Sequence, residues 1–528
     1  MLRENYPKPN LVRPRWTSLD GEWEYSTFSN GKDDILSSCK KSLPDLTRIG
    51  ENYDYALYKK TFVLTEADSA GTVFLNIGSV DGDCEVLVNN KPAGKRKGAP
   101  SNLTFDITNY VVTGENSICI FVMSDPLFTK PTLTGSSITG RIWLEFSAKT
   151  YISQLIARPS ITDKSIYLSG KIINLLQNMQ ILAEVTLKSK VVASFTYDAL
   201  GSLSLRIPLP EPIEYWQILN SNLYEIKITL VNSLGGLCDC IHTYTAFREI
   251  EIRNNLIYIN NKNIFFKLVK DNNGNSFRVF NSQKIRQILS SVLALGFNGI
   301  DLGGYEPSPQ FLYLADKLGI TLFFSLIPNG LYPISEDCTK LIQAITASKI
   351  LRYIASPSII LWNLFFNFDP GADFIAHMIS MCKKYSPSII ISSFSEKSVK
   401  YGDFSSPYLS FVEKSDFLRL IKTNIDNNSP SLINFSSGSF LGAYSPFDAS
   451  VEYNERDFSE IYTFMTGAIL ASNSIGFSYD FLNDSSVQLG GFYTEGFGTK
   501  ISRNILIDIR NANSRRSIGE LNSIIVTN

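Results

Sequence analysis

The 528-residue chain, 44% hydrophobic and 19% charged, is too long for one ordinary core and implies about two to four domains of a globular protein. Its formal net charge of −1 gives no electrostatic basis for binding nucleic acid or an anionic membrane surface. Seven scattered cysteines imply no disulfide framework, and with only His242 and His377 beside them neither a zinc site nor any other cofactor is expected. The opening Met-Leu-Arg-Glu-Asn-Tyr-Pro has no apolar targeting core, and no stretch approaches the ~18 apolar residues of a membrane span, so a cytoplasmic location is expected.

Residues 1–148 read as short strands separated by turn signals. Thr72-Val-Phe-Leu-Asn-Ile77 and Cys84-Glu-Val-Leu-Val88 alternate or run apolar, and Asn89-Asn90-Lys91 supplies a tight turn. Leu103-Thr-Phe-Asp-Ile107 and Asn116-Ser-Ile-Cys-Ile-Phe-Val122 continue the pattern, which predicts an antiparallel jelly-roll sandwich. Residues 149–247 repeat the style at smaller scale, with Ile166–Ile173, Ile181–Leu187 and Tyr224–Leu230 as strands. That size and spacing predict an immunoglobulin-like sandwich. Cys238-Asp-Cys240 falls in such a run and reads as strand alternation.

After Phe247 apolar strands alternate with helical patterns, and residues 248–528 predict a (β/α)8 TIM barrel. Eight strands are expected, at 264–270, 297–303, 320–327, 359–367, 388–394, 407–412, 431–436 and 474–480. Apolar residues at 285, 288, 289, 292 and 293 mark one helix. Ser308 as N-cap and Gly319 as stop bracket the next. Chemistry in such barrels sits at the C-terminal strand ends. Those ends here carry Lys270-Asp271, Asp301, Ser325, Asn367, Ser393, Glu413, Asn434 and Asp480, with no evident pair of acid and nucleophile.

Leu11-Val-Arg-Pro-Arg-Trp-Thr-Ser-Leu-Asp-Gly-Glu-Trp-Glu-Tyr25 is similar to the opening of glycoside hydrolase family 2, the β-galactosidase and β-glucuronidase family. Tyr58-Lys-Lys-Thr-Phe62, Gly140-Arg-Ile-Trp-Leu-Glu145, Phe247-Arg-Glu, Gly296-Phe-Asn-Gly-Ile300 and Leu314-Ala-Asp-Lys-Leu-Gly319 resemble further elements of that family, in order, across all three predicted domains. The resemblance implies its fold and a carbohydrate substrate.

The family's catalytic motifs do not carry over. Its acid/base motif Trp-Ser-Leu-Gly-Asn-Glu, laid on Trp362, places Asn367 at the acid position, or Phe368 if the register slips by one, and Phe365-Phe366 in place of Gly-Asn. The nucleophile position falls on Asn434 of Ile433-Asn434-Phe435-Ser436. Asp301 stands where the family has a sugar-site Arg, and Gly304 where it has His.

A retaining glycosidase needs two carboxyls roughly 5–5.5 Å apart, one to attack carbon and one to protonate the leaving oxygen. An Asn amide does neither. The expectation is therefore a catalytically impaired homologue, a pseudo-glycosidase with a carbohydrate-binding, scaffold or regulatory role. Its ligand residues are expected among Asn363, Asn367, Asn434, Asp301, Tyr305 and Tyr479. Expected partners are a carbohydrate, or a protein or second copy held through the sandwiches. The alternative is an active O-glycosyl hydrolase on β-glycosides that uses relocated carboxylates, with Asp369 and Glu413 the fallback pair.

Overall fold

The computed structural model describes residues 2–29, 34–44, 55–97, 101–123, 137–271, 274–327, 335–365, 370–386, 390–392, 402–410, 413–424, 430–441, 453–485 and 489–517. The chain divides into two compact units, one built mainly from residues 1–213 and 223–245, the other from 214–222, 246–329 and 335–528. No helix among the described residues is long and apolar enough to cross a membrane.

The first unit is antiparallel β-structure. A six-stranded sheet runs Asp34–Leu43, Gly21–Ser29, Tyr55–Leu64, Gly114–Met123, Asp83–Val88, Lys91–Arg96 in spatial order. It shares one core with a five-stranded sheet centred on Thr72–Asp81, in which Trp23, Tyr58, Val86 and Ile120 meet Leu75, Ile77, Phe105 and Leu144. The Asn89-Asn90 turn adopts φ of 49° and 62°, the left-handed conformation Asn tolerates best among non-glycine residues. Two smaller sheets follow: Tyr151–Ser160, Ser165–Ile173, Ser202–Pro208, and Lys190–Asp198, Gln180–Leu187, Tyr224–Val231, Leu237–Thr245. Within this unit the buried Arg13 guanidinium pairs with Glu145 at 3.0 Å and Asp239 at 3.2 Å, and Val12 bridges His242 through two backbone bonds.

The second unit holds eight parallel strands: β1 (Phe266–Lys270), β2 (Gly299–Asp301), β3 (Thr321–Ser325), β4 (Ile359–Asn363), β5 (Ile390–Ser392), β6 (Tyr408–Ser410), β7 (Leu432–Ser436) and β8 (Gly476–Tyr479). All eight expected strands are present, each within its expected range. Their spatial order is β5-β4-β3-β2-β1-β8-β7-β6, so every pair of chain neighbours is adjacent except β5 and β6, which share no ladder among the described residues. Such a sheet is of TIM-like kind.

Helices separate most of the strands: α1 (Ser282–Ala294), α2 (Pro309–Leu318), α3 (Glu336–Tyr353), α4 (Ala372–Tyr385), α5 (Lys414–Asn424), α6 (Glu455–Leu470) and α7 (Arg503–Ser514). α1 buries Ile285, Ile288, Leu289 and Val292, the stripe seen in the sequence. α2 starts at Ser308, whose hydroxyl accepts from Phe311 N, and stops at Gly319 with φ of 74°. One face of the sheet packs on these helices: Phe324 meets Tyr353 of α3 at 5.0 Å and Phe435 meets Tyr462 of α6 at 5.9 Å.

Candidate functional site

Side chains alternate across a strand, so register identifies which residues share the other, helix-free face. Lys270 pairs with Asp301, Asp301 with Phe323, and Ser325 with Asn363, which pairs with Ser392. On the other side Leu268 pairs with Ser478, Ser478 with Asn434, and Asn434 with Tyr408. Stepping by two along each strand, the C-terminal end of this face carries Lys270, Asp301, Ser325, Asn363, Ser392, Tyr408, Asn434, Ser436, Ser478 and Asp480. Every strand thus contributes a polar group to one ring, although the positions below it include Phe323, Leu361 and Ile390.

The charged half of the ring is internally paired. Lys270 Nζ lies 2.9 Å from Asp480 Oδ1 and 3.7 Å from Asp301 Oδ2. Burial alone would lower the lysine pKa, but the two carboxylates outweigh it and hold the group above its ordinary value, so it stays an ammonium. Asp301 also accepts Ser478 Oγ and Gly303 N, each at 2.9 Å. Tyr408 donates to Ser436 Oγ at 2.9 Å, and burial with the neighbouring Asp480 charge pushes its phenol up to about 12.

The amide half is different. Asn434 Nδ2 donates to Ser406 Oγ at 2.7 Å and to Ser406 O at 3.1 Å, so its N–H groups are spent on the β6 approach. Asn363 Nδ2 donates to Phe365 O at 2.5 Å, while Asn363 Oδ1 and the neighbouring Ser392 Oγ are buried with no hydrogen-bond partner among the described residues. A buried acceptor left unpaired costs ~1–3 kcal/mol, which makes this corner of the ring energetically unfinished.

The residues singled out in the sequence separate here. Asp301, Asn363 and Asn434 join the ring. Asn367 and the fallback Asp369 lie outside the described residues, as does Phe366. Phe365 meets Phe374 of α4 at 6.0 Å, so its ring reaches the following helix. Tyr479 does not join the ring: it alternates to the helix face, is fully buried, and donates to Gly490 O at 2.7 Å. Tyr305 packs on Gly274, where an added Cβ would stand 2.1 Å from Tyr305 Cγ, so it links the loops after β1 and β2. Glu413 is exposed just before α5, its carbonyl accepting Phe417 N, and makes no hydrogen bond or ion pair with the described ring residues.

Tyr408, Ser392 and Ser478 are missed when one polar group is read near each expected strand end. Parity alone could have found Ser478, two residues before Asp480, whereas Ser392 and Tyr408 are identified by the strand register that pairs them with Asn363 and Asn434. Elsewhere in this unit, α5, α6 and α7 border an open groove of about 740 Å³ lined by Lys414, Phe464 and Arg515 among others. None of its lining side chains is a buried polar group without a partner, so the ring is the better candidate.

Fold and ring together define a multidomain, β-rich protein whose parallel sheet gathers its polar groups at the C-terminal strand ends. No family model matches the chain. A β-galactosidase of Thermoanaerobacterium thermosulfurigenes is 25% identical over 418 residues, 70% of this chain and 57% of that protein. Two relatives carry a β-glucuronidase name, and this chain spans only 39% and 34% of their length. A β-D-glucuronidase structure from Dictyoglomus thermophilum superposes with TM-score 0.76 at 17% identity, covering 97% of this chain and 98% of that one. A GH2 β-galacturonidase from Eisenbergiella tayi, bound to galacturonate, gives TM-score 0.74 at 18% identity, with 97% and 99% covered. The chain resembles glycoside hydrolase family 2 in sequence and shares the fold of these solved structures.

Proposed function

We propose that this chain is a diverged relative of glycoside hydrolase family 2 that holds a carbohydrate at the ring without hydrolysing it. The observation that carries this reading is the state of the carboxylates. Among the described ring residues only Asp301 and Asp480 are acids, and both are engaged by the one ammonium of Lys270. A carboxylate held in an ion pair is a poor nucleophile, and one kept ionised has no proton to give a leaving group. Asn434 occupies the position the family resemblance assigns to the nucleophile, its amide donating to the β6 approach. Asn367 is the matching replacement for the acid.

In this reading the parallel sheet closes as a (β/α)8 barrel over residues 248–528, following a jelly-roll domain at 1–148 and an immunoglobulin-like sandwich at 149–247. Support comes from the strand order and from the change of unit at Ala246. Asn363, Asn434 and Asp301 are the ligand residues, with Tyr305 added from the loop after β2 and Asn367 retained from the sequence.

The test is turnover of nitrophenyl β-galactoside, β-glucoside, β-mannoside and β-glucuronide across pH 4–8, chosen because activated leaving groups need little protonation. The expected rate is that of buffer alone. Saturable hydrolysis abolished by Asp480→Asn or Asp369→Asn would replace this reading with an active enzyme using relocated carboxylates.

A further inference from the structure

Resting on the carbohydrate-binding reading, we infer that the ring admits sugars that lack a carboxylate and rejects uronates. Two independent features of the ring lead there. The first is its fixed charge. Asp301 and Asp480 bring two negative charges and Lys270 one positive charge, and Lys270 is the only cation among the described ring residues. Its ammonium lies between those two carboxylates, so it is already committed, and the cluster as a whole is net negative. In a buried setting a third carboxylate meets repulsion that bulk water would largely screen.

The second feature is hydrogen-bond polarity. Among the described residues Asn363 Oδ1 is a buried acceptor without a partner, and Ser392 Oγ beside it on the ladder is likewise unpartnered. The Asn363 amide cannot turn its N–H groups inward at no cost, because Nδ2 already donates to Phe365 O. This corner therefore asks for an incoming donor. A C6 hydroxyl directed to this corner supplies one, whereas a carboxylate or its ester offers only acceptors there, so this feature favours the glycoside and the charge cluster separates the uronide from its ester. Asn363 and Ser392 sit on β4 and β5 and the charged cluster on β1, β2 and β8, so the two features act from different strands of the sheet and favour the same ligand chemistry.

Isothermal titration of the full chain at pH 7 tests this with three probes of one shape. These are methyl β-D-galactoside, methyl β-D-galacturonide, and the methyl ester of that galacturonide, with the gluco series run in parallel. The expected order is that the glycoside and the ester bind at least tenfold tighter than the ionised uronide. Asp480→Asn removes one negative charge from the cluster and is expected to narrow the ratio of ester to uronide by at least threefold. Should that variant fail to fold, the wild-type comparison of ester with uronide still decides the matter. A uronide binding as tightly as its own ester overturns the inference while leaving a carbohydrate-binding site in place. Absence of binding by all probes in both series removes the carbohydrate-binding reading beneath it as well.

Discussion

Lys270 and Asp480 form an ion pair at 2.9 Å between the ends of β1 and β8, the first and last strands of the parallel sheet. Because Asp301 of β2 also reaches the same ammonium, one lysine fastens three adjacent strand ends. The pairing closes off the two acids most suited to chemistry and makes the cluster a structural element of the sheet.

Replacing the lysine should expose that dependence. Lys270→Met leaves two buried carboxylates without a cation and is expected to cost about 3–5 kcal/mol in urea denaturation at pH 7. Adding Asp301→Asn and Asp480→Asn should recover much of the loss at pH 7.

Asn434 gives a prediction of opposite logic. Asn434→Asp keeps the shape but turns a donor into an acceptor facing Ser406 O, now 3.1 Å from Nδ2. The expected cost is about 1–3 kcal/mol at neutral pH, smaller at pH 4 where the new carboxyl can protonate and donate. For the same reason Asn367→Glu/Asn434→Glu should not become an efficient glycosidase. It restores two carboxyls but no group that places a sugar against them, and nitrophenyl glycosides should stay near the buffer rate.

Glu306, in the loop after β2, should govern part of the acid sensitivity. Burial alone would raise its pKa, but Lys349 and Arg352 outweigh this and Tyr353 donates to it, holding the carboxyl down to about 2. A depressed pKa contributes stability present above the unfolded value near 4.5 and lost as pH falls toward 2. Glu306→Gln should therefore lower Tm at pH 6, with the gap to wild type closing by pH 2.5 in differential scanning calorimetry.

Gly299 of β2 tests packing beneath the ring. An added Cβ would lie 2.1 Å from Thr321 Oγ1 and 2.5 Å from Leu268 Cδ2. Gly299→Ala is expected to cost about 1–3 kcal/mol through overpacking, read from chemical denaturation.

The sequence exposed the strands of the parallel sheet because each is a short apolar run bounded by turn or helix signals, and all eight lie within their expected limits. Helix ends were equally legible where chemistry is local: Ser308 and Gly319 act through their own backbone neighbours. The site was harder to read because it depends on which face a residue takes. Tyr479 stood at a strand end like Asp480, yet one step along the strand turns it to the helices. The Lys270 bridge joins residues 210 positions apart, and no local pattern announces a partner at that distance. Asp301 was seen as a lost arginine, whereas its role in the sheet is set by Ser478 and Lys270.

Arg13 carries a consequence for how the chain is made. Its guanidinium bonds Glu145, 132 residues later, and Asp239, 226 residues later. The amino-terminal segment therefore leaves the ribosome long before its counter-charges exist. At roughly 5–20 residues per second, Asp239 follows about 10–45 s behind. During that interval an arginine destined for burial waits in water, and the segment it fastens is free to find wrong neighbours. The segment around Arg13 is thus synthesised well before its own fastening can form.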